Sequence, residues 1–501
     1  MSLSAVLKKA GAPAYILYGV FACLSICYGL THDNILFAAL PACLPFVCIV
    51  LLSCFERPQN ALYIFFVVNF FIPLINHYLP DYPTGIITDI LLAFCLLVLF
   101  VGSLDKKVTS GNIVLDVDIA VGIWLLYCML EIFNPHVITV KSWVASIRNY
   151  ALYFFLVVIL TQLSTRSFKN VLTFLKIWSV LIIISTVKVL VQRYVGFSKG
   201  DNNFLYEQGG SVTHIIYYGI RYFSIFSDAA AYGGCMGMSM GVFFIVGLHR
   251  KNFFSKLYWW FVSASACLGM FLSGTRSALV VPVACVLLYL VLIKDWKKAI
   301  LISIPLAAAI SLLAFTDLGG SLTYIRRART IFTKDDDRSY QIRKENQAEF
   351  RVLMRDKPFG NSLGMSMERA KNYGDYSRLT DLPTDSWLVK IWVETGVVGQ
   401  IIYCFVMLFL LAKGAYLVFF KIKSDEVKGI TAALISGIAG LFLMSTNSEM
   451  FNQVPNGTIV YLSFGYISMA LLFDKEMEAG KSNIDEQLPE NIPDNNQLQR
   501  S

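Results

Sequence analysis

Charged residues are scarce in this chain. Only 15% of its 501 residues are Asp, Glu, Lys or Arg, whereas 56% are hydrophobic and the mean hydropathy is +0.60. Soluble domains usually carry about 25% charged residues. The deficit excludes both an ordinary water-soluble enzyme and an intrinsically disordered protein.

Several functional signatures are also absent. The sequence has no RNA-binding or zinc-finger motif and no His, Asp and Glu cluster with metal-ligand spacing. None of its eleven cysteines lies in the long polar segment 317–385. We therefore expect no nucleic-acid partner despite the net charge of +8, no metal or other cofactor, and no disulfide framework.

Apolar runs, in contrast, recur from Pro13 to Phe473. A helix needs about 20 residues to cross the hydrocarbon core of a bilayer. Several runs are slightly short, so we expect 12 to 14 spans among the fourteen candidates. The candidates are 13–30, 35–54, 61–79, 85–104, 116–134, 146–163, 171–196, 228–247, 257–273, 277–294, 299–316, 386–412, 429–447 and 457–473. The pattern predicts an all-α fold, a polytopic transmembrane helix bundle.

The distribution of Lys and Arg predicts the orientation. Basic residues such as Lys106 and Lys107 recur in every second loop, whereas short loops such as 31–34 and 79–84 hold none. This bias places both termini in the cytoplasm. The predicted regions are an N-terminal bundle of about 11 spans (1–316), a large periplasmic loop (317–385), about three C-terminal spans (386–473) and a disordered cytoplasmic tail (474–501).

The loop 317–385 is the only long polar stretch within the membrane domain. Its segment RKENQAEFRVLMRD predicts a short helix with Phe350, Leu353 and Met354 on one face. Long ordered loops usually carry function. The tail lacks aromatic residues and is rich in Asn, Asp, Glu and Gln, which predicts disorder.

Arginines near the predicted outer face indicate an anionic ligand. Arg276 lies in FLSGTRSALVVP, a tight turn between two spans, where it either pairs with an anion or reaches the interface. Arg221 precedes a span and has Asp228 as an alternative partner, and Arg148 opens another span. Because a guanidinium matches phosphate oxygens and stays charged, the ligand we expect is a phosphate or pyrophosphate.

Two carboxylates are candidates in TDLPTDSWLVKIWVETGVVG, the segment in which the chain returns to the membrane. Asp385 is placed either to cap the following helix or to act as general base for an attacking hydroxyl. Glu394 lies nine residues further on, where burial of a charge is costly and therefore notable.

Four stretches together resemble the family of O-antigen ligases and Wzy-type O-antigen polymerases, which are bacterial inner-membrane glycosyltransferases. SGTRSALVV is similar to the family's Arg-containing outer turn, and RKENQAEFRVLMRDKPFGNSLG to its Arg-then-helix segment ending in Pro-Phe-Gly-x-x-x-Gly. DSWLVKIWVETGVVGQ resembles its His-Asn-x-x-Leu start followed by Glu-x-Gly-x-x-Gly, and IRYFSIFSDAAAYGG its Arg-x-x-Gly-x-Phe-x-x-Pro-Asn segment. The resemblance covers about 210–405.

The resemblance implies a reaction and roles for single residues. Such enzymes transfer a glycan from undecaprenyl pyrophosphate to an acceptor sugar hydroxyl at the periplasmic face, with inversion and without a metal. By motif position, Arg276 and Arg343 would hold the pyrophosphate, with Arg221 assisting, and Asp385 stands where ligases usually carry His. Further candidates for assisting roles are Arg148, Arg338 and Glu394.

The missing His favours a polysaccharide polymerase. It would extend the non-reducing end of a lipid-linked repeat unit of O antigen, capsule or exopolysaccharide. One alternative is an O-antigen ligase with lipid A-core as acceptor, and another is a polysaccharide flippase or transporter. The expected partners are an undecaprenyl-pyrophosphate-linked oligosaccharide, the lipid bilayer and, for a polymerase, a chain-length regulator. The expected location is the bacterial inner membrane, with the active site facing the periplasm.

Overall fold

The computed structural model describes residues 35–104, 113–216, 219–294 and 338–485, together with the isolated residues 20, 25, 304, 316, 326 and 329. These parts of the chain are helical and connected by turns, apart from one antiparallel pair of two-residue strands, β1 (Ile215–Ile216) and β2 (Gly219–Ile220). The all-α helix bundle predicted from the sequence is therefore confirmed.

The described helices are numbered in chain order. Those before the strands are α1 (Ile35–Glu56), α2 (Gln59–Tyr78), α3 (Gly85–Leu104), α4 (Leu115–Leu130), α5 (Val140–Ile147), α6 (Tyr153–Ser164), α7 (Phe168–Tyr194), α8 (Lys199–Asn202) and α9 (Ser211–His214). Those after the strands are α10 (Ala229–Leu248), α11 (Phe253–Leu272), α12 (Val280–Ile293), α13 (Arg338–Leu353), α14 (Met367–Lys371), α15 (Arg378–Asp381), α16 (Trp387–Tyr416), α17 (Asp425–Met444), α18 (Asn456–Ser468) and α19 (Ala470–Asp485).

Many of these helices are membrane spans. Within the described residues, eight helical segments are long and apolar enough to cross a membrane, or nine if the bent pair α18 and α19 forms one span. Twelve of the predicted apolar runs coincide with described helices, and the runs 13–30 and 299–316 lie outside the described residues apart from the isolated residues 20, 25, 304 and 316. The chain is a multi-pass membrane protein.

Helix α10 forms the centre of the bundle. Its sequence AAAYGGCMGMSMGVFFIVGL is rich in small residues. Inside the protein, 83% of its apolar stretch is buried, compared with 33% for α3. At Gly237 an added Cβ would lie 2.9 Å from the carbonyl oxygen of Ala278. Small residues let helix backbones approach closely inside a membrane, where van der Waals packing replaces the hydrophobic effect. The composition of α10 thus explains its central position.

Helix α16 is broken at Gly396, where the backbone has φ 68° and ψ −175°. The turn 357–361 fills this break: the N–H of Val398 donates to the carbonyl oxygen of Pro358 at 3.3 Å, and the N–H of Asn361 donates to that of Val393 at 2.9 Å. At Gly396 an added Cβ would overlap the carbonyl oxygen of Pro358. The Pro-Phe-Gly and Glu-x-Gly-x-x-Gly segments therefore form one packed unit.

The polar loop contains the short helix expected from the sequence. Helix α13 begins earlier than RKENQAEFRVLMRD predicts and ends at Leu353, just before the turn that enters α16. Phe350 and Met354 are buried, and Leu353 packs beside them. Their partners are Val393, Val389 and Trp392 of α16. The apolar face is confirmed, and it fixes α13 against the first turns of α16.

The prediction of a disordered tail from Asp474 is wrong for its first part, because α19 continues to Asp485. Asp474 is 5% exposed and accepts hydrogen bonds from the N–H groups of Lys423 and Ser424 at 3.1 and 2.8 Å. Glu476 accepts one from the N–H of Phe168 at 2.8 Å. Carboxylates at helix N-termini satisfy free N–H groups, and composition alone does not reveal such tertiary contacts. Residues 486–501 lie outside the described residues.

The segments 197–228, 273–277, 338–386 and 445–455 gather at one end of the bundle, called here the site end. The Oγ atoms of Ser277 and Ser448 lie 3.3 Å apart, and the N–H of Trp387 donates to the carbonyl oxygen of Ser448 at 3.4 Å. At the opposite end, Arg250 of the α10–α11 turn pairs with Glu426 of α17. These four segments, which lie in or next to loops that the sequence predicted on one side of the membrane, therefore share one end.

Substitution of Gly396 by Ala should destabilise the protein more than the same change at Gly374. Both glycines have positive φ, 68° and 90°, but only the added Cβ at 396 meets backbone, whereas that at 374 has nothing within 4 Å. Left-handed backbone costs an L-residue roughly 1–2 kcal/mol. We expect Gly374→Ala to show that cost and Gly396→Ala a larger one, measured as thermal unfolding midpoints in detergent. Equal midpoints would contradict the docking of the turn.

Candidate functional site

Arg276 is the first residue of a 3-10 turn, Arg276–Leu279, that joins α11 to α12. The preceding Thr275 is buried, and its hydroxyl donates to the carbonyl oxygen of Ala229 at 3.0 Å. Its N–H donates to the Oγ of Ser273 at 3.2 Å. These contacts fix the turn to the start of α10, so Arg276, half-buried itself, extends from a rigid support.

Arg221 contacts the same turn. Its Nη2 donates to the hydroxyl of Thr275 at 2.9 Å, and its Nη1 donates to the carbonyl oxygen of Thr213 at 3.0 Å. The backbone N–H of Arg221 donates to the carbonyl oxygen of His214 at 2.8 Å, and the ring Nε2 of His214 accepts from the N–H of Ala229 at 3.2 Å. These hydrogen bonds close a ring through α9, α10 and the Arg276 turn.

Asp228 caps a helix and makes no direct pair with Arg221, which was the alternative drawn from the sequence. Asp228 is the N-cap of α10, and its Oδ2 accepts from the N–H groups of Ala230 and Ala231 at 2.8 and 3.1 Å. The carboxylate of Asp228 thus binds the N–H groups at the helix N-terminus, where negative charge is favourable. Asp228 contributes to Arg221 only at longer range, as a nearby opposite charge.

The three arginines that the sequence singled out lie close enough to act on one another. Burial lowers the pKa of Arg221, and the positive charges of Arg343 and Arg276 lower it further, while Asp228 opposes the shift. Arg221, Arg343 and Arg276 come from three separate stretches of chain, and the fold brings them together. Such convergence of cations at the membrane face creates a positive potential that attracts an anion.

Arg343 faces Asp385. Its Nε lies 3.9 Å from the Oδ2 of Asp385, with side-chain exposures of 37% and 36%. This distance allows an ion pair but exceeds that of a hydrogen bond. Burial raises the pKa of Asp385, the positive charge of Arg343 counteracts that rise, and the negative charge of Glu449 adds to it. The carboxylate is therefore a stronger base than a free aspartate.

Asp385 does not cap α16, so that alternative is wrong. The N-cap is Ser386, whose Oγ accepts from the N–H of Val389 at 3.4 Å. Asp385 itself has a left-handed backbone, with φ 53°. That conformation is uncommon for residues other than glycine and costs energy, and it clusters at functional sites. The side chain of Asp385 lies beside Arg343.

Glu394 contributes to the scaffold of the site. It is 1% exposed, and its Oε2 accepts from the N–H of Gly364 at 2.6 Å. Its Oε1 accepts from the hydroxyl of Ser366. Both oxygens therefore bind the segment that follows the Pro-Phe-Gly turn, which accounts for a carboxylate at this depth.

The other two candidates for assisting roles are placed differently. Arg148 lies at a π-helical turn between α5 and α6 and pairs with Asp89 of α3, which also accepts from the hydroxyl of Tyr153. Its charge is thus compensated within the bundle. Arg338 opens α13, and its side chain lies outside the described part of the structure.

The structure adds two charged residues that the sequence reasoning did not select. The Nζ of Lys390 lies 2.9 Å from the Oε2 of Glu449, with exposures of 16% and 17%. Glu449 also accepts from the hydroxyl of Thr384 at 3.3 Å, next to Asp385. A signal was present, because Glu449 is the only charged residue in the segment STNSEMFNQVPNG.

In a comparison with known proteins, a family model matches part of the chain. Residues 261–404 match the family model described as O-antigen ligase. No curated protein matches the chain. The matched stretch begins later than the resemblance drawn from the sequence, so it leaves out Arg221, but it contains Arg276, Arg343 and Asp385. The match supports a family of the O-antigen ligase and Wzy type for this segment, which is consistent with an enzyme of the glycosyltransferase type.

Proposed function

We propose that the protein is a polysaccharide polymerase that uses an undecaprenyl-pyrophosphate-linked glycan as donor. The observation that supports it is the convergence of Arg221, Arg276 and Arg343 beside Asp385 at the site end. The cations suit a pyrophosphate, and the carboxylate suits a hydroxyl that must lose its proton. The family match supports glycan transfer in general.

The proposed reaction is an inverting displacement. The acceptor hydroxyl oxygen attacks the anomeric carbon of the donor sugar and forms the new glycosidic bond. The bond between that carbon and the phosphate oxygen breaks, and its electron pair leaves with the pyrophosphate. Asp385 accepts the hydroxyl proton as general base. Arg276 and Arg343 stabilise the charge that develops on the departing oxygen, because they are held in place before the reaction begins.

Arg221 has a supporting part in this proposal. Two of its guanidinium nitrogens donate to Thr213 and Thr275, which anchors the side chain within the protein. It fixes the turn that carries Arg276 and adds positive charge behind it. A metal is not required in this scheme, since the arginines supply the charge that neutralises the leaving group.

Two features bear on the choice between polymerase and ligase. Asp385 in place of the usual His favours the polymerase, which would extend the non-reducing end of a lipid-linked repeat unit. The description of the matched family favours the second candidate, an O-antigen ligase that transfers the glycan to lipid A-core. In both cases we propose the bacterial inner membrane, cytoplasmic termini and a periplasmic site, and for the polymerase a chain-length regulator as partner.

Deletion of the gene in its host tests the proposal directly. Lipopolysaccharide and secreted polysaccharide are extracted and run on a gel that resolves repeat units. Core with a single repeat and no ladder supports an O-antigen polymerase, and loss of a secreted polymer with an unchanged ladder moves its product to capsule or exopolysaccharide. Bare core with polymer on the lipid carrier identifies a ligase. Lipid-linked units trapped on the cytoplasmic side would overturn both and indicate a flippase.

Arg276→Ala should abolish the product while the protein still inserts and folds. The reason is the loss of a preorganised donor to the leaving group, which costs about 100-fold to 1000-fold in comparable sites. Polymer formation is measured in the deletion strain that carries the variant, beside an immunoblot of its membranes. The matched control is Arg166→Ala, an exposed arginine between α6 and α7. Normal polymer from Arg276→Ala would remove this residue from the site.

Arg343→Lys should be impaired by about 10-fold to 100-fold, because a point charge replaces a planar fork of donors. Arg351→Lys provides the control on the same helix, since Arg351 is exposed. The comparison uses initial rates with purified protein and the lipid-linked glycan that accumulates in the deletion strain. Wild-type rates for Arg343→Lys would show that its charge alone suffices.

Asp385→Asn should reduce the rate by about 100-fold or more with little change in thermal stability. The wild-type rate should fall as the pH drops through the pKa of Asp385, which burial raises above the usual aspartate value. Arg343→Ala should move that acidic limb to higher pH, because the cation lowers the pKa of Asp385. Asp381→Asn, in an exposed pair with Lys371, is the control. A pH profile without an acidic limb would argue against the carboxylate as base.

A further inference from the structure

The outer loop 445–455 meets both halves of the candidate site. Its Ser448 lies 3.3 Å, Oγ to Oγ, from Ser277, the residue after Arg276. The next residue, Glu449, accepts from the hydroxyl of Thr384, the residue before Asp385, at 3.3 Å. Two adjacent residues of one loop thus contact the flanks of the anion-binding arginine and of the general base.

We propose that Glu449, held by Lys390, is a positioning residue that fixes the Asp385 turn and sets its distance from the Arg276 turn. The inference rests on the proposed function and assigns a role to a loop outside the matched family segment. Glu449 reaches the reaction through Thr384 and Asp385.

The Asp385 turn needs such support because its backbone is strained. Asp385 has φ 53°, and residues in this region stay there only where their surroundings enforce it. On its C-terminal side, the hydroxyl of Ser386 donates to the carbonyl oxygen of Ser445 at 3.0 Å. On its N-terminal side, the contact is the hydrogen bond from Thr384 to Glu449. Both supports come from the same loop.

Lys390 compensates the negative charge of the Glu449 carboxylate and fixes its orientation. Its Nζ lies 2.9 Å from the Oε2 of Glu449, and the Nδ2 of Asn452 donates to the same oxygen at 3.0 Å. The Oε1 atom is then left for Thr384. Because both oxygens of the Glu449 carboxylate are bound, the side chain has little rotational freedom. The position of α16, which carries Lys390, therefore fixes the position of the loop.

Glu449 also contributes charge. The charged groups that act on Asp385 are Arg343, from α13, and Glu449, from the loop, with Lys390 behind Glu449. The negative charge of Glu449 raises the pKa of Asp385, whereas that of Arg343 lowers it. Removal of the Glu449 charge should therefore make Asp385 a weaker base and shift the acidic limb of the rate profile to lower pH.

The test uses three variants, Glu449→Gln, the double variant Lys390→Met with Glu449→Gln, and the charge swap Lys390→Glu with Glu449→Lys. The double variant removes both charges together, so no half-buried ion is left unpaired. The probe is the lipid-linked glycan extracted from the deletion strain. Rates are measured against pH, and thermal midpoints are recorded for each purified protein. Glu349→Gln, which breaks the exposed pair with Arg378, is the control in the same outer region.

We expect Glu449→Gln to move the acidic limb to lower pH and the charge swap to move it further, because a cation then stands beside Asp385. The swap keeps an ion pair but removes the acceptor for Thr384, so its rate should stay about 10-fold to 100-fold low. Recovery of the wild-type rate by the swap, with an unmoved limb in Glu449→Gln, would overturn the proposal and leave Glu449 a purely structural ion pair.

The failure of this inference is distinguishable from failure of the proposed function. Arg276→Ala serves as the reference in the same assay. If Arg276→Ala is inactive while the Glu449 variants match the wild type, the positioning role alone is wrong. If Arg276→Ala makes the full product, the proposed pyrophosphate site is wrong whatever the Glu449 variants show.

Discussion

The docking of the turn 357–361 into the break of α16 determines the geometry of the site. Two backbones meet there without intervening side chains, and glycine is needed on both sides: at Gly360 an added Cβ would overlap the carbonyl of Glu394, and at Gly396 that of Pro358. This contact fixes the end of α13 against the start of α16. Together with the packed apolar face of α13, the junction places Arg343 on the first helix 3.9 Å from Asp385, which precedes the second.

The candidate site also holds several cations near one another. Burial and mutual repulsion both disfavour this arrangement, as the lowered pKa of Arg221 reflects. The structure compensates with neutral acceptors, since Arg221 donates to a carbonyl oxygen and a hydroxyl and the nearby Asp228 serves as a helix cap. In the proposed function, a bound anionic ligand would relieve this unfavourable charge density.

Hydropathy and the local residue pattern were sufficient to predict much of the fold. The apolar runs located the described spans, and the period of Phe350 and Met354 located the packed face of α13, because both depend on local residue order. The resemblance selected Arg276, Arg343 and Asp385 through motif positions. The pairing of Glu449 with Lys390 could not be derived in this way, because 59 residues separate the partners. Asp474 was misjudged for the same reason: its partners, Lys423 and Ser424, are distant in sequence.

In the proposed function, Asp385 is the general base at a position where the ligases that the chain resembles usually carry histidine, and this choice of residue has a physical cost that its surroundings address. An aspartate in water is a weak base, with a pKa of about 3.9, whereas histidine lies near 6.5. Burial and the charge of Glu449 both raise the pKa of Asp385, and Arg343 keeps the carboxylate ionised and directed toward the cations. Because Asp385 lies between the Glu449 carboxylate and the Arg343 guanidinium, its pKa depends on the charge of a nearby ligand. A bound pyrophosphate beside Arg343 would offset the charge of that cation and make Asp385 a stronger base. On this view, donor binding itself prepares Asp385 to accept the proton, so that acceptor activation follows binding of the leaving group.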